Sequence, residues 1–381
     1  MRILIFNGEM DHSLDIGLFL KKIIPDCEIY LLCKRRIFKI LEYLTGINIL
    51  IRKSQNNLFN TISKLDNTIE FDWIIPVSFD DIKVTLDFIS KKPNSKITRK
   101  IITLPNRNAF LKVADKYWLL NTAKDVGIPT PKTIIISNKK HLAEVRDKIS
   151  FPVFVKQNSE KYKLNGLVKN WKDLIKISEL ILTNGEQVLI QEYISNPETY
   201  GFGFLAKDGK VIEYVMHKEV FSIPPSGGSA ILLEKLNNSK ILSMSKKLIG
   251  VLNYSGFGLI EYKKDSSGKF ILMEINPKFW ASILFSLLNR PSILCKLIAK
   301  DSSEDEKSIF KTKVDALLYN SRLVGTGIFD WNYFREIINY IKEKYKYCNI
   351  FSSSSFRGRS VESFYSIYYT VFYAKRLVIS N

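Results

Sequence analysis

The sequence predicts an α/β N-terminal domain, built as a parallel sheet with flanking helices, followed by an α+β region and a helical C-terminal extension. Strand and helix signals alternate over residues 1–105, which is typical of parallel strands joined by crossover helices. From about residue 106 hairpin signals occur between the helices, and after about residue 300 an acidic stretch precedes two further helix signals. These changes predict three domains, at residues 1–105, 106–300 and 301–381.

The first domain is predicted from short apolar runs bounded by turn residues and from amphipathic stretches between them. Its predicted strands are Arg2–Phe6, Glu28–Leu32, Trp73–Val77 and Ile101–Leu104, and its predicted helices are Ser13–Ile24 and Asp80–Ser90. No Gly-x-Gly-x-x-Gly motif follows the first strand, so a dinucleotide site is not expected there.

The second domain begins with a helix signal over Ala109–Lys124, which ends near Gly127 before an Ile-Pro-Thr-Pro segment. Further strands are predicted at Lys132–Ile136, Val153–Lys156 and Val188–Tyr193, a hairpin at Gly201–Ala206 and Val211–Met216, and a helix at Ser239–Leu252. This mixture of hairpins and helices indicates an α+β arrangement, unlike the first domain.

The hairpin that follows carries two glutamates and an asparagine. Apolar strands at Phe257–Tyr262 and Phe270–Ile275 flank a polar turn, and antiparallel pairing would bring Glu261 to face Glu274 and Asn276. Two carboxylates and an amide oxygen are hard ligands, suited to Mg²⁺ held against phosphates rather than to zinc or iron. The alternative is that both glutamates are solvated side chains at strand ends.

The composition argues against a disulfide-rich, zinc-binding, secreted or membrane-spanning protein. The four cysteines are scattered and the three histidines are dispersed, so neither a disulfide framework nor a zinc cluster is expected. The N-terminus has the pattern of a strand rather than a signal peptide, and no run approaches the roughly 18 apolar residues of a membrane span. We therefore expect a cytoplasmic protein.

The net charge of +19 comes from 57 Lys and Arg against 38 Asp and Glu, and most of the basic residues are dispersed along the chain. Dispersed charge favours a site that handles phosphates and carboxylates over a nucleic-acid-binding surface. A basic nucleic-acid-binding protein stays open as an alternative.

Several short signals follow one another in a fixed order over residues 1–290. They are Asp115-Lys116 at a helix start, Lys156 and the run Gln191-Glu192-Tyr193-Ile194 at strand ends, the Pro224–Ser229 loop, and the set Glu261, Glu274 and Asn276. Together they resemble the ATP-grasp superfamily, particularly the branch similar to the carbamoyl phosphate synthetase large subunit and the carboxylate–amine ligases. The resemblance implies a pre-ATP-grasp domain at 1–105 and an ATP-grasp fold at 106–300.

The resemblance also implies a site for ATP and Mg²⁺, with Mn²⁺ as an alternative metal. It assigns the nucleotide to Lys116, Lys156, Gln191, Glu192, Tyr193, Ile194, Glu198, Gly227 and Gly228, the metal to Glu261, Glu274 and Asn276, and catalytic roles to Lys278 and Lys218. Lysine charges suit phosphates, and adjacent glycines let backbone N–H groups approach an anion.

Three features depart from the family pattern. Lys278 stands where relatives usually carry Arg, Ala281 replaces a frequent glycine, and the loop after Lys156 is poor in glycine. Lysine keeps the charge of arginine but loses its bidentate fork. These departures leave open a catalytically weakened ATP-binding subunit with a regulatory or scaffold role.

The resemblance implies an ADP-forming ligase that joins a small-molecule carboxylate to an amine, or to a thiol, through an acyl phosphate. Homodimers are common among relatives, so a homodimer is an open expectation. The aromatic, basic stretch 356–377 is expected to form a helix packed on the ATP-grasp domain, with peripheral contact to an anionic membrane as the alternative.

Overall fold

The first hundred residues form a parallel sheet covered by helices. The computed structural model describes residues 1–24, 26–52, 58–160, 164–196, 198–223, 225, 228–298, 314–345 and 351–367. Within them the first sheet has the strand order β3-β2-β1-β4, and every pairing in it is parallel. Its elements are β1 (Arg2–Ile5), α1 (Asp11–Ile23), β2 (Glu28–Cys33), α2 (Ile40–Thr45), β3 (Asn48–Ile51), α3 (Leu58–Ile69), β4 (Trp73–Ile75), α4 (Phe79–Lys91) and α5 (Lys96–Lys100).

This sheet is apolar on both faces because helices cover both of them, as parallel sheets require. Ile3 and Ile5 pack into the core cluster that includes α1, whereas Leu4 and Phe6 pack into the cluster that includes α3. The predicted strand at Ile101–Leu104 is wrong in extent, since within it only Ile101 makes an isolated parallel bridge to Ile74.

A second, antiparallel sheet has the strand order β5-β8-β6-β7. It is preceded by two helices rather than the single predicted one, because Asp115 ends the first helix and its side chain caps the second by accepting from the Trp118 N–H at 2.9 Å. The elements are α6 (Arg107–Ala114), α7 (Lys116–Asp125), β5 (Thr133–Ile136), α8 (Lys139–Glu144), β6 (Val153–Gln157), β7 (Asn165–Val168), α9 (Trp171–Thr183) and β8 (Val188–Glu192).

A third, larger sheet has the strand order β13-β12-β9-β10-β11-β14-β15. Its pairings are antiparallel except for β14 with β15, which run parallel. The elements are β9 (Thr199–Lys207), β10 (Lys210–Ile223), β11 (Ser229–Lys235), α10 (Ser239–Val251), β12 (Gly256–Lys264), β13 (Phe270–Asn276), α11 (Ile283–Asn289), α12 (Ser292–Ile298), β14 (Ala316–Leu318), α13 (Asn320–Phe329), α14 (Trp331–Lys344), β15 (Phe351–Ser352) and α15 (Ser353–Arg357).

The C-terminal region is not purely helical, which corrects the predicted helical extension. β14 pairs with β11 and β15 pairs with β14, so residues after 313 complete the third sheet. Residues 359–367 are helical, and Val361 and Tyr365 belong to a core cluster that contains residues of both the first and the third sheet. This described part of the 356–377 stretch also contacts the N-terminal region through Phe364, whose ring packs edge-on against Phe38, and residues 368–381 lie outside the described part.

Within the described residues, no helix is both long enough and apolar enough to cross a membrane. The division at residues 105 and 300 stays a prediction.

Candidate active site

A cleft of about 350 Å³ lies between the second and third sheets. The second sheet contributes residues of β6 and the end of β8, and the third contributes residues of β9, β10, β12 and β13. The charged side chains that line it are Lys116, Lys156, Glu160, Glu192, Glu219, Glu261, Lys263, Glu274 and Lys278. The cleft thus gathers cations and carboxylates in one partly enclosed space.

The predicted hairpin is confirmed, and its two glutamates lie directly opposite each other. Glu261 of β12 pairs in register with Glu274 of β13. The side-chain amide of Asn276 donates to both carboxylates, at 3.1 Å to Glu261 and 3.0 Å to Glu274. Burial, and then the charges of Glu274 and Glu219, raise the pKa of Glu261 well above its usual range.

This hairpin fits a hard divalent cation. Two facing carboxylates cost free energy when both are ionised, and a cation between them removes that cost. The set supplies two carboxylates and one amide, and within the described residues no group of three or more Asp, Glu, His and Cys side chains could hold a metal ion. A metal here would need further oxygen ligands from a bound substrate, which is how Mg²⁺ is usually held against phosphates.

Three lysines face the cleft near this pair. Lys156 of β6 lies 4.0 Å from the Glu274 carboxylate, and burial lowers its pKa. Lys116, at the first position of α7, pairs with the carboxylate of Glu160, and Lys278 lies 3.7 Å from the same carboxylate. Glu160 therefore places its negative charge among the cations that the sequence assigned to phosphates.

The start of α7 is fixed to the strand that carries Lys156. The Asn158 side chain, two residues past Lys156, donates to Asp115 at 3.1 Å and accepts from the Tyr117 N–H at 2.9 Å. The Asp115-Lys116 motif and β6 are thus one hydrogen-bonded unit, which holds both lysines on the same side of the cleft.

Glu192, Tyr193 and Ile194 line the cleft at the end of β8. The resemblance assigns these three residues together to the nucleotide site. Gln191, predicted with them, lies elsewhere: its side chain is buried and donates to the Thr133 hydroxyl at 2.9 Å. The reason is strand alternation, since successive side chains of a strand point to opposite faces.

Alternation also separates Lys218 from the cleft. Lys218 of β10 pairs with the Glu198 carboxylate, which also accepts from the Tyr200 hydroxyl at 2.6 Å. Burial opposes ionisation of Glu198, but the hydrogen bonds from Lys218 and Tyr200 lower its pKa overall. Neither Lys218 nor Glu198 is among the residues that line the cleft, so the structure does not bring these two predicted site residues to it.

Of the glycine pair in the Pro224–Ser229 loop, Gly228 lines the cleft, and Gly227 lies outside the described residues.

Sequence reasoning missed Glu160, Glu219 and Lys263 as cleft residues. Strand alternation could have found Glu219 and Lys263. Glu219 lies two residues after His217 on β10, and Lys263 lies two residues after Glu261 on β12, so each shares a strand face with that residue. His217 and Glu261 both pair with Gly201 of β9. No sequence signal distinguishes Glu160 from other loop glutamates.

Comparisons with known proteins bear on the fold and on its relatives. No family model matches the chain. A D-alanine–D-alanine ligase from Pseudomonas entomophila is 22% identical over 242 residues, which is 51% of this chain and 71% of that protein. D-alanine–D-alanine ligase B from Pseudomonas putida is 22% identical over 186 residues, 42% of this chain, and the match spans about half (54%) of that relative's length.

Solved structures match over most of the chain. A biotin carboxylase–β-γ-ATP complex from Campylobacter jejuni has a TM-score of 0.62 at 18% identity, covering 81% of this chain and 77% of that one. An L-amino acid ligase from Bacillus licheniformis has a TM-score of 0.59 at 12% identity, covering 81% and 78%. Proteins with these names are ATP-grasp enzymes. This chain therefore has an ATP-grasp fold, and its resemblance to the ATP-grasp superfamily is confirmed.

Proposed function

We propose that the protein is an ATP-dependent, ADP-forming ligase that activates a small-molecule carboxylate as an acyl phosphate and transfers it to an amine. One observation carries the proposal: a carboxylate pair suited to Mg²⁺ and the lysines Lys116, Lys156 and Lys278 converge in one cleft between two sheets. Relatives named for joining amino acids, D-alanine–D-alanine ligase and L-amino acid ligase, support the reaction class. A thiol is the alternative acceptor.

In this proposal ATP lies along the cleft. The adenine would contact the end of β8, at Glu192, Tyr193 and Ile194. Lys116 and Lys156 would contact the phosphates as point charges, and the backbone of Gly228 would approach them from the third sheet.

The metal end of the cleft would hold the reacting groups. Glu261, Glu274 and Asn276 would hold Mg²⁺, or Mn²⁺, which when bound neutralises charge on the transferring phosphoryl group. Asn276 would turn its amide so that the oxygen faces the cation. Lys278 would contact the acyl phosphate. Lys218 and Glu198 have no contact with substrate in this proposal and act as an ion pair behind β10.

The bonding changes balance without a side-chain nucleophile. A carboxylate oxygen of the substrate forms a bond to the γ-phosphorus, and the bond from that phosphorus to the bridging oxygen of ADP breaks. The amine nitrogen then bonds to the acyl carbon, inorganic phosphate leaves with the former carboxylate oxygen, and the amine loses a proton. Catalysis rests on positioning and charge neutralisation.

The test is hydroxamate formation from ATP, Mg²⁺ and hydroxylamine across a panel of amino acids and other carboxylates. We expect a hydroxamate with the wild-type protein and none with Glu274→Gln, while Glu144→Gln, an exposed glutamate on α8, behaves as wild type. Full activity of Glu274→Gln would contradict the metal assignment. No hydroxamate with any carboxylate would contradict the ligase.

A second candidate is an ATP-binding subunit without ligase turnover. It is favoured by the Glu160 carboxylate, which pairs with Lys116 and lies near Lys278, where it competes for the charges that phosphates would need. Tight ATP binding with no release of ADP across the same panel would support this candidate.

A further inference from the structure

We propose that Glu219 binds the amino group of the acceptor substrate, as its ammonium form, in a side cavity that opens from the metal end of the cleft. The proposal rests on the ligase function proposed above. It names the acceptor as a small primary amine rather than a thiol.

The side cavity has a volume of about 160 Å³ and continues from the cleft. Both spaces share one boundary, formed by Glu219, Gly228, Glu261, Asn276 and Lys278. An acceptor bound here would lie beside the lysine and the carboxylate pair, and therefore beside the acyl group that we propose forms there.

The far wall of the cavity is mainly apolar. It includes Leu259, Ala230, Trp280 and Ala281, with the hydroxyl of Ser282. The volume of the cavity is enough for several water molecules or for a small amine.

Glu219 is the carboxylate of this boundary that the metal site does not use. It lies on the same face of β10 as His217. Its carboxylate is 3.7 Å from Nε2 of the His217 ring. Lys218, the adjacent cation, points to the other face and pairs with Glu198. The nearby Lys263 ammonium donates to the Asn196 carbonyl at 2.9 Å, and its charge also interacts with Glu261 and Glu219.

A carboxylate in this position repels a substrate carboxylate and attracts a cation. If Mg²⁺ balances Glu261 and Glu274, the charge of Glu219 still faces the cavity, and an ammonium group balances it with a charge-assisted hydrogen bond. The bound ammonium gives one proton to the Glu219 carboxylate, and its free amine then attacks the acyl carbon and loses a second proton to solvent as the amide forms. A thiol offers no comparable partner, because its S–H is a weak donor.

A second observation also indicates a polar ligand. Trp280 lines the cavity, and its buried Nε1 donates to no described residue. Buried polar atoms are normally paired, so a hydrogen-bonding group of the substrate, or water that it organises, would satisfy the Trp280 Nε1.

Two glycines of β9 make this arrangement sterically feasible. A Cβ atom at Gly201 would lie 2.4 Å from the His217 ring, and one at Gly203 would lie 2.6 Å from the Trp280 indole. Both rings therefore lie directly over the glycines of β9, where a larger residue would displace them.

The test compares Glu219→Gln with wild type in two reactions. The first uses hydroxylamine, which is uncharged at mildly alkaline pH and reports acyl-phosphate formation. The second measures ADP release with ammonium, methylamine, glycine and both enantiomers of alanine as acceptors. Glu213→Gln is the matched control, because Glu213 is on the same strand but pairs with Lys296 at 2.5 Å, away from the cavity.

With saturating ATP and Mg²⁺, we expect Glu219→Gln to keep hydroxamate formation and to raise the KM for the preferred amine by about tenfold, the equivalent of 1.4 kcal/mol. Glu219→Asp should restore part of the affinity, because it keeps the charge. Glu213→Gln should match wild type in both reactions.

Two results would overturn the inference while the ligase stands. One is an unchanged amine KM in Glu219→Gln, and the other is loss of hydroxamate formation together with amine transfer, which would assign Glu219 to the phosphoryl step. Failure of the wild type to form any hydroxamate would instead remove the proposed function, and this inference with it.

Discussion

The alternation of side chains along each strand decides which charged residues face the cleft. On β10, Glu219 faces the cleft, whereas Lys218 beside it turns to Glu198. On β8, Glu192 lines the cleft while the Gln191 side chain bonds to Thr133. A sequence motif indicates where a site lies, but the alternation of the strand determines which side chain of the motif faces the cleft.

The Glu160 carboxylate gives a prediction at this scale. Because it pairs with Lys116 and lies 3.7 Å from Lys278, it competes with any anion for those lysines. Glu160→Gln should therefore tighten ATP binding by about tenfold, equivalent to 1.4 kcal/mol, as measured by titration calorimetry. Glu144→Gln, exposed on α8, should have no effect. Weaker ATP binding by Glu160→Gln would mean that Glu160 helps to hold the nucleotide.

Lys278 gives a second prediction. Lys278 lies at the boundary of the cleft and the side cavity, which supports the proposal that it contacts the acyl phosphate rather than the nucleotide. Lys278→Met should lower hydroxamate formation by at least about a hundredfold, which is the scale of removing one stabilising donor. ATP affinity should stay close to that of wild type, and Lys278→Arg should retain activity. Equal losses of ATP binding and hydroxamate formation would argue against this division of roles.

Among the elements, β9 controls the shape of the site without contributing a charged group. It is the central strand between β12 and β10, so Gly201 lies between Glu261 and His217 in the same row of the sheet. Its glycines leave the space that the His217 and Trp280 rings fill. The site therefore depends on the absence of side chains as well as on their presence.

Replacing Gly201 tests this role. Gly201→Ala places a methyl group 2.4 Å from the His217 ring, which must move, and such overpacking should lower the free energy of unfolding by about 2 kcal/mol. Gly250→Ala, at an exposed helical position of α10 with ordinary clearance, should be neutral or stabilising by up to about 1 kcal/mol. Urea denaturation compares the two. Equal midpoints for both variants would contradict the steric argument.

The sequence predicted those elements whose pattern is local and long enough to be specific. The hairpin of β12 and β13 was predictable because two apolar runs flank a turn. The pairing of Glu261 with Glu274 also needs the register shift between Glu261 and Tyr262, which the turn alone does not predict. The short strands β14 and β15 were not, since three and two residues carry no periodicity and their pairing with β11 is long-range. The pattern over Ala109–Lys124 reads as one continuous helix, and only the Asp115-Lys116 motif, placed at a helix start, indicated the break that the structure has there.

At the scale of the whole molecule, a buried ionic cluster joins α1, near the start of the chain, to α13 and α15 in the C-terminal region. Arg357 of α15 donates to Asp15 of α1 at 2.6 and 2.7 Å and to Glu362 at 3.1 Å. Arg322 of α13 bonds to Asp11 at 2.8 Å and to the carbonyl oxygens of Ala230 and Ala281, which line the side cavity. The C-terminal region thus connects α1 to the wall of the side cavity.

The cluster predicts a large stability effect. Arg357→Met would leave the Asp15 carboxylate buried with its main partner gone, and removing one member of a buried ion pair costs about 3–5 kcal/mol. Lys139→Met removes an exposed pair with Glu179 and should cost less than about 1 kcal/mol. The measurement is the free energy of unfolding in urea at neutral pH. Similar losses for both variants would show that the cluster contributes little to holding α1 to the C-terminal region.

The central claim is that this cleft transfers the γ-phosphoryl group of ATP to a carboxylate. The most direct measurement follows the oxygen atoms, using the carboxylate that gives a hydroxamate, labelled with ¹⁸O in both carboxyl oxygens, together with ATP, Mg²⁺ and an amine. The account predicts that one ¹⁸O atom appears in the inorganic phosphate for each ADP formed, as detected by ³¹P NMR. Inorganic phosphate without ¹⁸O, released at the same rate as ADP, would contradict it.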